Sequence, residues 1–182
     1  MLFKTLGDKS APAVLFFHAM GVTGESSEPV AAELADCFFC IMPTSTVYCA
    51  GQTYVGKADE VRQIKEFLRG QGVERVEMVV AAGKALSYGN IRRQMSDSLE
   101  DKPFPPLPEE LQKRCYFEFG SAEDHFKYRP AVMQSYPAGN FPVFEGYNHM
   151  QYQIRDPKGF AAMLIHIMEH DSMPELPFLQ KE

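Results

Sequence analysis

The 182-residue chain has few cysteines, no long apolar run and no excess of basic residues, and each shortage excludes a class of protein. Four scattered cysteines cannot supply a disulfide scaffold. The longest apolar runs, at residues 13–17 and 37–42, fall far short of the roughly 20 residues that a membrane-spanning helix needs. Lysine and arginine number 18 against 24 acidic residues, a net charge of −6, without any basic cluster. We therefore expect neither nucleic acid nor a membrane as partner.

The amino-terminal segment MLFKTLGDKS has neither the apolar core nor the cleavage site of a secretory signal, so a cytoplasmic protein with reduced cysteines is expected. Hydrophobic residues make up 45% of the chain, which is enough for a sizeable core. The length predicts a single domain over residues 1–182. Within it we expect a proline-rich excursion at 101–108 and an extended carboxy-terminal tail at 172–182.

Two of the cysteines, Cys37 and Cys40, match the pattern C-x-x-C that zinc and redox sites use. They lie in an apolar run that is typical of a buried strand, where residues three apart point to opposite faces. We therefore interpret them as small core residues, and the sequence indicates no metal site.

Short apolar runs alternate with helical patterns along the chain, which is typical of an α/β fold with helices on both faces of a mostly parallel sheet. This predicts a three-layer sandwich of about five strands. The predicted strands are residues 13–18, 37–42, 76–81, 115–119 and 141–145. The clearest predicted helix covers residues 157–169, with Asp156 as its N-cap and Pro157 at its first position.

Chemistry in such sheets occurs at the carboxyl ends of the strands. The first predicted strand ends in His18-Ala19-Met20-Gly21, the fourth in residues 120–125 (GSAEDH) and the fifth in residues 146–149 (GYNH). This order of an HG-type turn, a late acidic turn and a G-x-x-H turn before a closing amphipathic helix resembles the α/β-hydrolases. The resemblance extends from residue 13 to residue 169.

The resemblance implies a catalytic triad and hydrolysis of an ester or related acyl bond in a small-molecule substrate. Asp124 would be the triad acid, and His149 would be the general base. The backbone N–H of Met20 would be one donor of the oxyanion hole, and His18 and Gly21 would line the pocket.

The nucleophile is where the sequence departs from that family, whose nucleophile sits in a G-x-S-x-G elbow directly after the third of these strands. Here residues 81–85 (AAGKA) follow that strand, without serine, cysteine or aspartate. The nearest candidate is Ser87, in residues 85–89 (ALSYG), several positions late. One βα unit of the family also has no counterpart. The triad is thus degenerate, and we expect hydrolysis to be weak or absent.

Two alternatives remain open. Five parallel strands in the order 2-1-3-4-5 would be flavodoxin-like, and residues 21–26 (GVTGES) before a helix resemble the loop that holds the phosphate of flavin mononucleotide (FMN). FMN is expected only under that alternative, and otherwise no cofactor is expected. The third possibility is a non-catalytic binding domain that keeps the crevice of a hydrolase without its chemistry.

Overall fold

The computed structural model describes residues 1–19, 21–80 and 107–180, which have an α/β fold. The chain divides into two compact units, Met1–Asp101 and Lys102–Glu182, and each is described by itself. The prediction of a single domain over 1–182 stays a prediction. Among the described residues, no helix combines the length and the apolar character needed to cross a membrane.

The described part of the first unit contains a four-stranded sheet. Its strands are β1 (Leu2–Leu6), β2 (Ala13–Phe17), β3 (Phe39–Thr44) and β4 (Val76–Val80). The order is β1-β3-β2-β4, and β2 pairs in parallel with both β3 and β4. The predicted order of the last three strands is therefore confirmed.

Strand β1 was not predicted, and it makes the sheet mixed because it pairs antiparallel with β3. Its sequence, LFKTL, is short and carries a lysine at its centre, and its side chains are only partly buried. These properties are typical of an edge strand, whose apolar signal is weak. The expectation of a mostly parallel sheet of about five strands is corrected accordingly.

Side chains from both faces of this sheet are buried. One face packs against helix α2 (Lys57–Gly70), and α1 (Glu28–Leu34) packs against β3. The core on the α2 face consists of Ala13, Leu15, Phe39, Ile41 and Ile64. The alternate residues Val14, Phe16, Cys40 and Met42 point the other way and are also buried. Burial on both faces explains why β2 and β3 appear as continuous apolar runs.

The second unit contains two short parallel strands, β5 (Phe119–Gly120) and β6 (Val143–Phe144). Its described helices are α3 (Glu109–Gln112), α4 (Arg129–Ser135), α5 (Gln151–Arg155) and α6 (Pro157–His170). As predicted, Asp156 caps α6, and its carboxylate accepts a hydrogen bond of 2.8 Å from the N–H of Gly159.

The strands of the second unit are shorter than the predicted runs at 115–119 and 141–145. Hydrogen bonds do continue before β5, since the N–H of Phe117 donates to the carbonyl of Asn140 and that of Phe119 to the carbonyl of Pro142. However, Pro142 has no N–H to return to the ladder. Regular pairing is therefore confined to two residues of each strand.

The carboxy-terminal tail lies along β6. The N–H of Gln180 donates to the carbonyl of Val143 at 2.9 Å, and the N–H of Glu145 donates to that of Phe178 at 2.8 Å. The Phe178 ring contacts the rings of Tyr147 and Tyr152, with centroids 4.8 Å away in each case. The predicted extended tail thus packs on the second unit.

Replacing Ile41 tests the core of the first sheet. Ile41 is 0% exposed and lies between its register partners Thr5 and Leu15. We expect Ile41→Ala to lower the free energy of unfolding by about 2–5 kcal/mol, because it removes buried methyl groups and leaves a cavity. Urea unfolding followed by circular dichroism measures this. The control Val55→Ala, at a side chain 74% exposed, should change stability by less than about 0.5 kcal/mol.

Candidate functional site

The turns that follow β5 and β6 lie against each other at the backbone. A Cβ added to Gly120 would lie 2.3 Å from the carbonyl oxygen of Tyr147, so only glycine permits this approach. The N–H of Ala122 donates to that same carbonyl at 3.0 Å. The N–H of Gly146 donates to Oγ of Ser121 at 2.9 Å. These contacts hold the two turns in register.

The turns bring a carboxylate and an imidazole together. Oε2 of Glu123 lies 2.5 Å from Nδ1 of His149, and Oε1 accepts a hydrogen bond of 3.3 Å from the N–H of Gly120. The Glu123 side chain is 3% exposed and that of His149 is 35% exposed. An ionised carboxylate can only accept, so Nδ1 carries the proton, and in the neutral ring Nε2 is the basic nitrogen.

The backbone around His149 is held by a local turn. Its N–H donates to the side-chain oxygen of Asn148 at 2.7 Å, and the N–H of Asn148 donates to that of Gln151 at 2.9 Å. The next residue, Met150, has a φ of 56° in the left-handed region. Such a conformation is uncommon outside glycine and is typical of functional sites.

The carboxylate in this pair is that of Glu123 and not that of Asp124, as the sequence had predicted. Asp124 begins the 3₁₀ helix Asp124–Tyr128 and its side chain is exposed, whereas Glu123 precedes that helix in extended conformation and is buried. The sequence did carry a signal. Glu123 follows Gly120 by three residues, just as His149 follows Gly146.

A second histidine, to which the sequence gave no role, lies beside this pair. The ring centroid of His125 is 5.2 Å from that of His149. One ligand atom each from Glu123, His125 and His149 can be chosen so that all three lie within 4.8 Å of one another.

In the first unit, His18 has both ring nitrogens engaged by the backbone. Nδ1 is 2.7 Å from the carbonyl of Ala19, and Nε2 accepts from the N–H of Ser45 at 2.9 Å. His18 lines a cavity of about 290 Å³. Gly21, with a φ of 98°, is not among the lining residues, and its N–H donates to the hydroxyl of Tyr48 at 2.9 Å.

A glutamate that the sequence did not single out orders the turn after β3. One oxygen of Glu60, on α2, accepts from the hydroxyl of Ser45 at 2.6 Å, and from the N–H and hydroxyl of Thr46 at 2.7 and 2.8 Å. These partners are all fixed donors. Glu60 therefore anchors the turn to α2.

The two cysteines of the C-x-x-C pattern lie in different environments. Cys37 precedes β3 and is exposed, whereas Cys40 is 0% exposed within the strand. Burial raises the pKa of the Cys40 thiol to about 11, which keeps it protonated and unreactive at neutral pH. The interpretation of Cys40 as a core residue is confirmed.

Met20 and Ser87 lie outside the described residues. Their roles as oxyanion-hole donor and candidate nucleophile stay predictions.

Comparison with known proteins gives matches among solved structures, whereas no protein-family profile and no curated protein matches the sequence. A serine hydrolase of the bacterium Cycloclasticus zankles has a TM-score of 0.64 at 10% identity, over 92% of this chain and 93% of that one. An α/β-hydrolase enzyme from a sediment metagenome of the Mar Chica lagoon has a TM-score of 0.62 at 13% identity, over 93% and 95%. An esterase of a marine microorganism has a TM-score of 0.60 at 11% identity, over 91% and 98%.

These similarities define the class of fold. The chain has the α/β-hydrolase fold, as the sequence motifs implied. Because the identities are between 10% and 13%, they establish the fold alone and leave the chemistry to be argued from the residues.

Replacing Gly120 tests the geometry of the two turns. We expect Gly120→Ala to lower the free energy of unfolding by about 1–3 kcal/mol, because the added Cβ collides with the backbone of Tyr147. Urea unfolding measures it. The matched control is Gly70→Ala, where an added Cβ meets nothing within 4 Å, and it should be neutral or stabilising. Equal effects of the two substitutions would contradict the close approach.

Proposed function

We propose that this chain hydrolyses an ester or related acyl bond of a small-molecule substrate, with His149 as general base and Glu123 as its orienting acid. The observation that carries the proposal is the hydrogen bond between the buried Glu123 carboxylate and Nδ1 of His149. A carboxylate in that position fixes the imidazole tautomer that can accept a proton at Nε2. The α/β-hydrolase fold supports the same class of reaction.

In the proposed mechanism, Nε2 of His149 takes the proton of the attacking hydroxyl while that oxygen bonds to the acyl carbon. The imidazolium that results is stabilised by the Glu123 carboxylate. As the tetrahedral intermediate collapses, the imidazolium returns the proton to the leaving oxygen. The low exposure of Glu123 favours this role, because screening by water is weak around a buried carboxylate.

The nucleophile in this proposal is Ser87, and the backbone N–H of Met20 is one donor to the oxyanion. The late position of Ser87, beyond the expected elbow, makes slow turnover the expected result. Without any activated nucleophile, binding and oxyanion stabilisation alone give only about 10³ to 10⁴-fold acceleration over water.

Hydrolysis of p-nitrophenyl acetate and butyrate by single variants tests the proposal. We expect His149→Ala and Glu123→Gln each to reduce the rate by at least about tenfold, because general acid–base catalysis is lost or the ring is held in the wrong tautomer. Asp124→Asn, which removes a neighbouring charge from an exposed side chain, should leave most of the rate.

Ser87→Ala identifies the nucleophile in the same assay. A loss equal to that of His149→Ala would assign the nucleophile to Ser87. A loss confined to His149→Ala and Glu123→Gln would mean that His149 activates water directly. Background rates in the unmodified chain would contradict the proposal and favour the non-catalytic binding domain.

The flavin alternative has less support from the first unit. The N–H of Gly21 donates to the hydroxyl of Tyr48, and the N–H of Gly24 donates to Oγ1 of Thr44 at 3.0 Å. These are the loop groups that a flavin phosphate would need, and protein atoms already accept from them. The carboxylate of Glu25 adds a negative charge to the same loop.

Titration with FMN tests that alternative. Because the loop donors are engaged, we expect no change in the absorbance or fluorescence of FMN when the purified chain is added. Saturable quenching at micromolar protein would contradict this expectation and would support the flavodoxin-like interpretation instead.

A further inference from the structure

His125 adds a third potential ligand to the proposed acid–base pair. It stands two residues after Glu123 in the same turn, and its ring lies beside that of His149. The three ligand atoms lie within 4.8 Å of one another. Bonds of about 2.1 Å in tetrahedral geometry separate ligand atoms by about 3.4 Å. The exposed side chain of His125 can rotate to close that difference.

We propose that Glu123, His125 and His149 form a binding site for a divalent transition-metal ion of the zinc type. Two imidazole nitrogens and one carboxylate oxygen are a donor set that suits Zn²⁺, Co²⁺, Ni²⁺ and Cu²⁺, whereas Mg²⁺ and Ca²⁺ require oxygen ligands. With neutral imidazoles the set carries one negative charge, which offsets half of the charge of the ion. A fourth position is left for water.

The surroundings of the three side chains support this assignment. Glu123 is buried, and its second oxygen accepts from the N–H of Gly120, so the carboxylate is held from behind as a metal ligand commonly is. His149 is half-buried and its backbone is fixed by Asn148, while His125 is exposed. The site thus has two ordered ligands and one mobile ligand that closes over the ion.

Binding of the ion would remove the base from the proposed reaction, and this consequence rests on the proposed function. If the metal bonds to Nδ1, the proton now on Nδ1 moves to Nε2 through solvent, and Nε2 can no longer accept a proton. If the metal bonds to Nε2, the lone pair of that nitrogen is used directly. In both cases the ion inhibits hydrolysis.

The test is a titration of the chelator-treated full chain with Zn²⁺ in competition with a chromogenic chelator. We expect one tight equivalent, and His125→Ala should weaken its binding by at least about tenfold. The matched control is His170→Ala. His170 and His166 stack on α6 with ring centroids 4.4 Å apart and form a rival histidine pair, so this substitution should leave the tight equivalent unchanged.

Loss of the tight equivalent in His170→Ala but not in His125→Ala would overturn the proposal, as would the lack of a tight equivalent in the unmodified chain. The absorption spectrum of the Co²⁺ form gives a second measurement. Weak visible bands of a tetrahedral site are expected, and an intense near-ultraviolet thiolate band would assign the ion to a cysteine instead.

Hydrolysis assays separate this proposal from the proposed function. Each variant is compared with its own metal-free rate, and Zn²⁺ should inhibit the unmodified chain at concentrations at least about tenfold lower than it inhibits His125→Ala. A chain that binds Zn²⁺ through His125 but does not hydrolyse esters would refute the function and leave the metal site standing. A hydrolase without the tight equivalent would refute the metal site alone.

Discussion

The close approach of the backbone at Gly120 to the carbonyl of Tyr147 is the constraint on which the candidate site depends. Because nothing larger than hydrogen fits at that position, the turns after β5 and β6 can touch, and their side chains then face each other. The same glycine donates its N–H to Glu123. One residue without a side chain therefore both sets the spacing of the turns and orients the acid.

Two glutamates in the molecule show how the partners of a carboxylate decide its role. One oxygen of Glu60 accepts from two hydroxyls and one backbone N–H, none of which changes its protonation in the neutral range. Glu123 instead faces an imidazole, which can gain and lose a proton near neutrality. The first arrangement fixes a turn, while the second is suited to chemistry.

The predictable part of the fold is the part with strong local signals. Strands β2, β3 and β4 and their order follow from buried apolar runs, and α6 follows from Asp156 and Pro157. Strand β1 was missed because an edge strand with a central lysine has little apolar signal. His149 was singled out by its place after a strand, but its partner depends on which of two adjacent carboxylates is buried. That is decided by the start of a 3₁₀ helix, which local pattern does not specify.

The position of β2 in its sheet has a consequence for folding kinetics. This strand is central, yet both of its parallel partners come later in the chain, and β4 lies farther along than β3. A tight hairpin cannot form either pairing, since parallel strands need a long crossover. Closure of extended chain segments must therefore precede most of the stabilising contacts of this sheet, which raises the contact order and slows its assembly. During that interval the apolar strands stay exposed, and aggregation competes with folding.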